Sequence, residues 1–169
     1  MRYWTGIGSQ KTTKALVPTI KRIAEALHAR GLRLRSGGAS GFDAFAEWAS
    51  PGESDIYLPW EGFNGNLSRL VGATETAFLI AAGVHPVWEK LSSGAKRLHA
   101  RNVHQVLGRD CQTPSDVLVC WTPNGKPVGG SRTAILVAQQ HGVPVVNLFD
   151  DSPILGRDPL AEVLEAIGG

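Results

Sequence analysis

Apolar and polar positions along the chain switch repeatedly between a period of two and a period near 3.6. "RYWTGI" has the pattern of a short strand and runs out into Gly6 and Gly8. Leu16, Val17, Ile20, Ile23, Ala24 and Leu27 then recur at helical spacing until Gly31 closes the run, and Pro18 fits only in that helix's first turn. "LRLRS" predicts a second strand, followed at once by "GGASG"; beyond it, Phe42, Phe45, Ala46 and Ala49 form one apolar helical face. "DIYLP" predicts a third strand ended by Pro59, and "WEGFNGN" a loop. "ATETAFLIAAG" predicts a helix, "PVWEKL" another begun by Pro86, and "SGAKRLHARNVHQVLG" a longer one ending at Gly108. "DVLVCW" reads as a buried strand, "TPNGKPVGGS" as a long loop, "RTAILVAQQHG" as a helix, "VPVVNLF" as a strand and "PLAEVLEAI" as a terminal helix.

Strands alternating with helices imply βαβ units and a parallel sheet covered on both faces. The central strands are short and apolar throughout, as a doubly covered sheet requires. The expected fold is α/β: one Rossmann-like domain over residues 1–169, with a mainly parallel sheet of about five strands and helices on both faces. In such sheets ligands sit beyond the carboxyl ends of the strands, where strand order reverses. Three loops would meet there: "GIGSQ" after the first strand, "SGGASG" after the second and "TPNGKPVGGSR" after the fourth. All three are rich in Gly and Ser.

Composition narrows the classes. With 169 residues, 43% hydrophobic and 19% charged, the chain has the balance of a globular protein with room for a core. A net charge of +2 argues against a non-specific nucleic-acid binder on charge alone. Cys111 and Cys120 lack metal or redox spacing, and a reducing cytosol fits them. "MRYWTGIGSQ" lacks the apolar core of a secretory signal, and no apolar run is long enough to span a bilayer. The five histidines show no metal pattern; His99 and His104 point to different sides of a helix and are expected at the surface or loosely packed. No metal and no cofactor is expected.

The loops carry the candidate chemistry. Glycine lets a ligand approach the main chain, and the free N–H groups at a following helix start attract an anion. Hydroxyls at Ser9, Ser36, Ser40, Ser131 and Thr133 can add bonds, although Gly and Ser are also what turns use. The usual dinucleotide fingerprint is absent, since Lys11 replaces its third glycine, and no acid ends "LRLRS". A P-loop fails as well, because Pro127 follows Gly125-Lys126 and Cys120 stands where its first glycine belongs.

"SGGASGFDAFAEWA" together with "SDVLVCWTPNGKPVGGSRTAILVAQQHGVPVVNL" resembles the SLOG superfamily, which contains the lonely-guy phosphoribohydrolases, the DNA-processing protein A group and many small nucleotide-sensing domains. "IYLPWEGFNG" and "RLHARNVHQVLG" look more like the small SLOG proteins often carried by phages. The resemblance covers most of residues 2–148. It implies a Rossmann-like fold that binds a nucleotide or nucleotide-derived ligand, and a homo-oligomer; it implies the fold more strongly than the activity. On this reading the ligand meets Gly8 and Ser9 in the first loop, Ser36, Gly37, Gly38, Ala39 and Asp43 at the second, and Thr122, Gly129, Gly130, Ser131, Arg132 and Thr133 at the third.

The chain departs from the hydrolases of that group at one decisive place. Their PGGxGTxxE motif ends in the Glu that serves cleavage of the N-glycosidic bond, and Leu136 stands at that position here. Asp43 and Glu47, four apart on one helix face, are the weak catalytic candidates; otherwise Asp43 favours a helix N-terminus and Glu47 is solvated. Arg132, inside the glycine loop, and Arg101 are suited to phosphate by their planar forks. Asn102 shares a face with Leu98 and Val106, and either binds ligand or caps a neighbouring loop. Phe63 is expected in the core, whereas Trp60 either stacks a base or closes the core. The leading expectation is a protein that binds a nucleotide-derived small molecule as a sensor or by sequestration. The alternatives are a nucleotide N-glycosidic hydrolase or transferase, and a DNA-processing-A-like binder of single-stranded DNA using a basic patch at Lys96, Arg97, Arg101 and Arg109.

Overall fold

The computed structural model describes residues 1–150 and 156–169. Six parallel strands form one sheet in the order β4-β3-β2-β1-β5-β6. They are β1 (Arg2–Gly8), β2 (Leu32–Ser36), β3 (Ser54–Leu58), β4 (Leu70–Val71), β5 (Val117–Trp121) and β6 (Val145–Asn147). The helices are α1 (Val17–Ala29), α2 (Phe42–Ala49), α3 (Glu75–Val84), α4 (Ser93–Leu107), α5 (Arg132–Gln140) and α6 (Pro159–Ala166). The architecture is the expected α/β one, with a sixth strand of two residues that is too short to leave a period in the sequence. "PVWEKL" forms a single 3-10 turn at Trp88–Lys90, and the long loop holds two more, at Pro123–Gly125 and Gly129–Ser131.

Strand β5 shows why the sheet is buried on both faces. Val117 and Val119 join Trp4, Ile23, Leu34 and Phe42 in one core, under α1, α2 and α6. Leu118 and Cys120, the alternate residues, join Ile7, Val103, Ile135 and Val137 in a second core, under α3, α4 and α5. Every one of these side chains is 3% exposed or less, so each is removed from water almost completely. Local signals start the helices: the hydroxyls of Thr74 and Ser92 accept N–H bonds from Ala77 (3.2 Å) and Ala95 (3.1 Å). Gly108, at φ 77°, ends α4.

One expectation is corrected here. His99 and His104 are buried, at 8% and 0% exposure, rather than superficial. Helix α4 is enclosed on all sides from His99 to Leu107, because the sheet, α3 and α5 surround it. His104 is satisfied there: its Nδ1–H donates to the Gly108 carbonyl (2.9 Å) and its Nε2 accepts from the Thr74 amide (3.1 Å). His99 pairs through Nδ1 with the Thr133 hydroxyl (2.8 Å).

Strand order reverses at β1. The chain moves from β1 to β2, β3 and β4 on one side, then returns to β5 and β6 on the other. Gly8, the last residue of β1, lies in register with Trp121, the last of β5. The loops after β1, β2 and β5 therefore meet at one edge, where doubly wound sheets bind ligands.

Candidate functional site

A cavity of about 510 Å³ opens at that edge. The loop after β1 contributes Gly8, Ser9, Gln10 and Lys11, and the one after β2 contributes Ala39 and Asp43. The far wall is the loop after β5, with Val128, Gly129, Gly130 and Ser131 leading into α5. Leu98, Arg101 and Asn102 of α4 close the third side, and Phe63 the fourth.

The floor is a buried polar spine. Asp43, in the first turn of α2, is 1% exposed. Its Oδ1 accepts the Gly8 amide (3.2 Å), and the amides of Gly37 and Ala39 also bond to the carboxylate. Burial pushes its pKa up to about 6, against the opposing pull of the Arg101 guanidinium and those amides. Burial likewise lowers Arg101 to about 10, with Asp43 opposing. Arg101 donates to the carbonyls of Gly37 and Tyr57 (3.0 Å to Tyr57), and through Nε to Asn102 Oδ1 (2.9 Å). Asn102 takes a second bond from Gln105 Nε2 (2.8 Å) and donates its own amide to the Gly130 carbonyl (2.5 Å). One turn of α4 thus ties the loop after β2 to the loop after β5. Arg101 and Asn102, both singled out as ligand-binding, reach the cavity wall, and each also donates to main-chain carbonyls, Arg101 to Gly37 and Tyr57 and Asn102 to Gly130.

Other expected site residues lie beneath or beside the wall. The Ser36 hydroxyl donates to the Gly6 carbonyl (2.6 Å) within the sheet. Gly37 packs under the spine: a Cβ there would fall 2.5 Å from Gln105 Nε2 and 2.7 Å from Arg101 Nη1. Gly38 is packed against Leu58, and its carbonyl accepts from Asn64 (3.0 Å). Thr122 accepts from the Asn147 amide (2.7 Å), and Thr133 is taken by His99. Arg132 is half-buried and turns its Nε to the Pro127 carbonyl (3.1 Å). Asp43 and Glu47 part company, since Asp43 enters the cavity floor while Glu47 accepts from Asn66 (3.1 Å). The expected basic patch divides, with Arg101 buried and Arg109 donating to the Gly72 carbonyl (2.6 Å).

Gln10, Lys11, Leu98, Pro123 and Val128 line the cavity without having been singled out as ligand-binding. Lys11 carried a signal, since it stands where the fingerprint's third glycine belongs. Phe63 both packs on the core and faces the cavity. Trp60, expected at the site, is half-buried and does not line the cavity; it meets Phe63 edge-on, with centroids 5.3 Å apart and planes 89° apart. The Arg97 guanidinium lies 5.3 Å from the Trp60 centroid, and that of Arg101 5.4 Å from Phe63.

No family model matches the chain, and no curated protein matches it. Solved structures do. DNA processing protein A from Helicobacter pylori, which has a described single-stranded DNA binding mode, superposes with a TM-score of 0.57 at 17% identity, over 97% of this chain and 72% of that one. The fold is that of DNA processing protein A. The same protein from Streptococcus pneumoniae gives a TM-score of 0.53 at 16% identity, over 97% of this chain and 56% of that one. The likeness to DNA processing protein A spans 97% of this chain in both cases, and it agrees with the SLOG resemblance at the level of fold. Among the described residues no helix is long and apolar enough to cross a membrane.

Proposed function

We propose that the chain binds single-stranded DNA at the carboxyl edge of its sheet. The phosphate of one nucleotide sits against the main-chain amides of Gly129, Gly130 and Ser131, at the start of α5, with the Lys11 ammonium opposite. One observation carries this reading: Gly130 lies exposed on the cavity wall, and a Cβ added to it would meet no protein atom within 4 Å. Its φ is not in the left-handed region, so neither packing nor backbone geometry accounts for a glycine there. Open space beside amides at a helix start suits an anion. The fold likeness supports DNA as the bearer of that anion, because one neighbour is described as binding single-stranded DNA. Among the described residues Asp43 is the only carboxylate on the cavity wall, and backbone amides already occupy it, so the reading is binding without turnover.

The cavity also supports a second reading, that of a free nucleotide-derived ligand held by a sensor or sequestering protein. Its volume of about 510 Å³ falls in the small-molecule range of roughly 300–1,000 Å³. Calorimetric titration with dTMP and with (dT)12 separates the two. Single-stranded DNA binding predicts affinity that climbs with length and falls with salt. Contact with two or three phosphates predicts a log–log salt slope of about −1.4 to −2.1. Lys11→Ala and Gly130→Val should weaken (dT)12 at least about ten-fold. Affinity that saturates at dTMP favours the free ligand, and variants that bind (dT)12 as wild type remove the phosphate site altogether.

A further inference from the structure

The loop from Pro59 to Arg69 is held as a fixed platform. Asn64 donates to the Gly38 carbonyl, Asn66 to Glu47, and the Ser68 hydroxyl to the Ile56 carbonyl (2.6 Å). It carries two aromatic rings at right angles, Phe63 on the cavity wall and Trp60 beside Phe63, outside the cavity lining. Helix α4 supplies a guanidinium to each, one turn apart. Arg101 is buried and committed to carbonyls, whereas Arg97 is exposed. Among the described residues no carboxylate lies within ion-pair distance of Arg97, and its guanidinium lies over the Trp60 ring.

We propose that Trp60 and Arg97 form a second nucleotide subsite, which takes the base and phosphate next to the nucleotide in the cavity. This rests on the reading above that the cavity holds a nucleotide of a single strand. Aromatic faces bind bases of any sequence by stacking, and a neighbouring cation serves the backbone. Trp60 and Phe63 are perpendicular, so bases flat on each cannot stack on one another. The strand must turn through about a right angle between them, with Arg97 placed at the turn to meet the intervening phosphate. A single strand can make that turn and a base-paired duplex cannot. The subsite therefore also selects single strands, a task that the phosphate shelf alone does not perform.

The test uses dTMP, the dinucleotide pTpT and (dT)8 as probes, titrated into the wild-type chain, Arg97→Ala and Trp60→Leu. Arg97 is exposed, so its variant keeps the test valid if Trp60→Leu fails to fold. The wild type should gain about ten-fold or more in affinity from dTMP to pTpT beyond its phosphate count, as one stacked base provides. Both variants should lose that gain and bind dTMP as the wild type does. Variants that keep the gain, or that lose dTMP as much as pTpT, overturn the subsite and leave Trp60 as packing for Phe63. A wild type that binds dTMP but gains nothing with pTpT also overturns it, while the cavity reading survives as a free-nucleotide site. A wild type that binds none of the three overturns both.

Discussion

Asp43→Asn tests whether the floor of the site is strained by a buried charge. The carboxyl is fully buried, and burial lifts its pKa from 3.8 to about 6. The folded chain therefore holds this proton more tightly than the unfolded chain does. Stability from this group is fully present below about pH 4 and is lost as pH rises through 6. A rise of about two units corresponds to about 3 kcal/mol, so ionised Asp43 costs the fold about that much at neutral pH. Asparagine carries no charge at any pH, but it leaves one carbonyl oxygen to accept from the amides of Gly8, Gly37 and Ala39, at a cost of about 1–2 kcal/mol. The variant should be less stable than wild type at pH 4 and should overtake it by pH 7.5. Urea unfolding of both proteins at half-unit steps across that range gives the difference directly, and carboxylates elsewhere cancel. A difference that stays constant with pH refutes the reasoning, because it means that Asp43 titrates alike in the folded and unfolded chains. The same window serves binding. Phosphodiesters do not titrate in it, and His99, lowered to about 4 by burial, by His85 and by nearby arginines, stays neutral above pH 5. Wild-type affinity for (dT)12 should rise as Asp43 neutralises below pH 6, and Asp43→Asn should flatten that rise.

Gly41→Ala should cost about 3 kcal/mol or more, because φ is 81° and the new Cβ would fall 2.4 Å from the Ser9 carbonyl; thermal melting checks it. Gly130→Ala should leave the melting temperature unchanged or slightly raised and weaken (dT)12 in the same calorimetry, the reverse of Gly41. Arg132→Ala should weaken dTMP and thymidine equally, since its Nε shapes the loop through the Pro127 carbonyl; a loss confined to dTMP would show that Arg132 reads the phosphate. Thr133→Val should cost about 1–3 kcal/mol by leaving the buried His99 ring nitrogen without a partner, measured by denaturant unfolding.

The sheet was legible because its strands carry the signature of double burial. "DVLVCW" is apolar at every position from Val117 to Trp121, and both faces of β5 are indeed covered. Strand β4 was not, because two residues carry no period. The edge where the cavity opens was legible from the Gly- and Ser-rich loops, since topology alone brings them together. What the side chains do at that edge was not. Arg101 and Asn102 line the cavity, but helix enclosure also ties them to the carbonyls of Gly37, Tyr57 and Gly130, and local spacing cannot report enclosure. His99 and His104 were missed for the same reason, since a helix covered on every side has no polar face to betray its buried residues.

The three glycine-rich loops look alike as sequence and do different work. In "SGGASG", Gly37 clears the spine of Arg101 and Gln105, Gly38 clears Leu58, and Gly41 lets the chain pass the Ser9 carbonyl. Every glycine of that loop has a protein atom within 3 Å of the position its Cβ would take, so close approach there is approach by the protein itself. In "VGGS" neither glycine has any atom within 4 Å of that position and both face the cavity; Gly129 is left-handed at φ 65°, and Gly130 is not. Composition cannot separate these cases, because a glycine that admits a neighbouring segment and one that admits a ligand are the same residue in the same kind of turn. The space around the missing Cβ does separate them. It sets the loop before α2 tight against other segments of the protein, and leaves the loop before α5 open to the cavity.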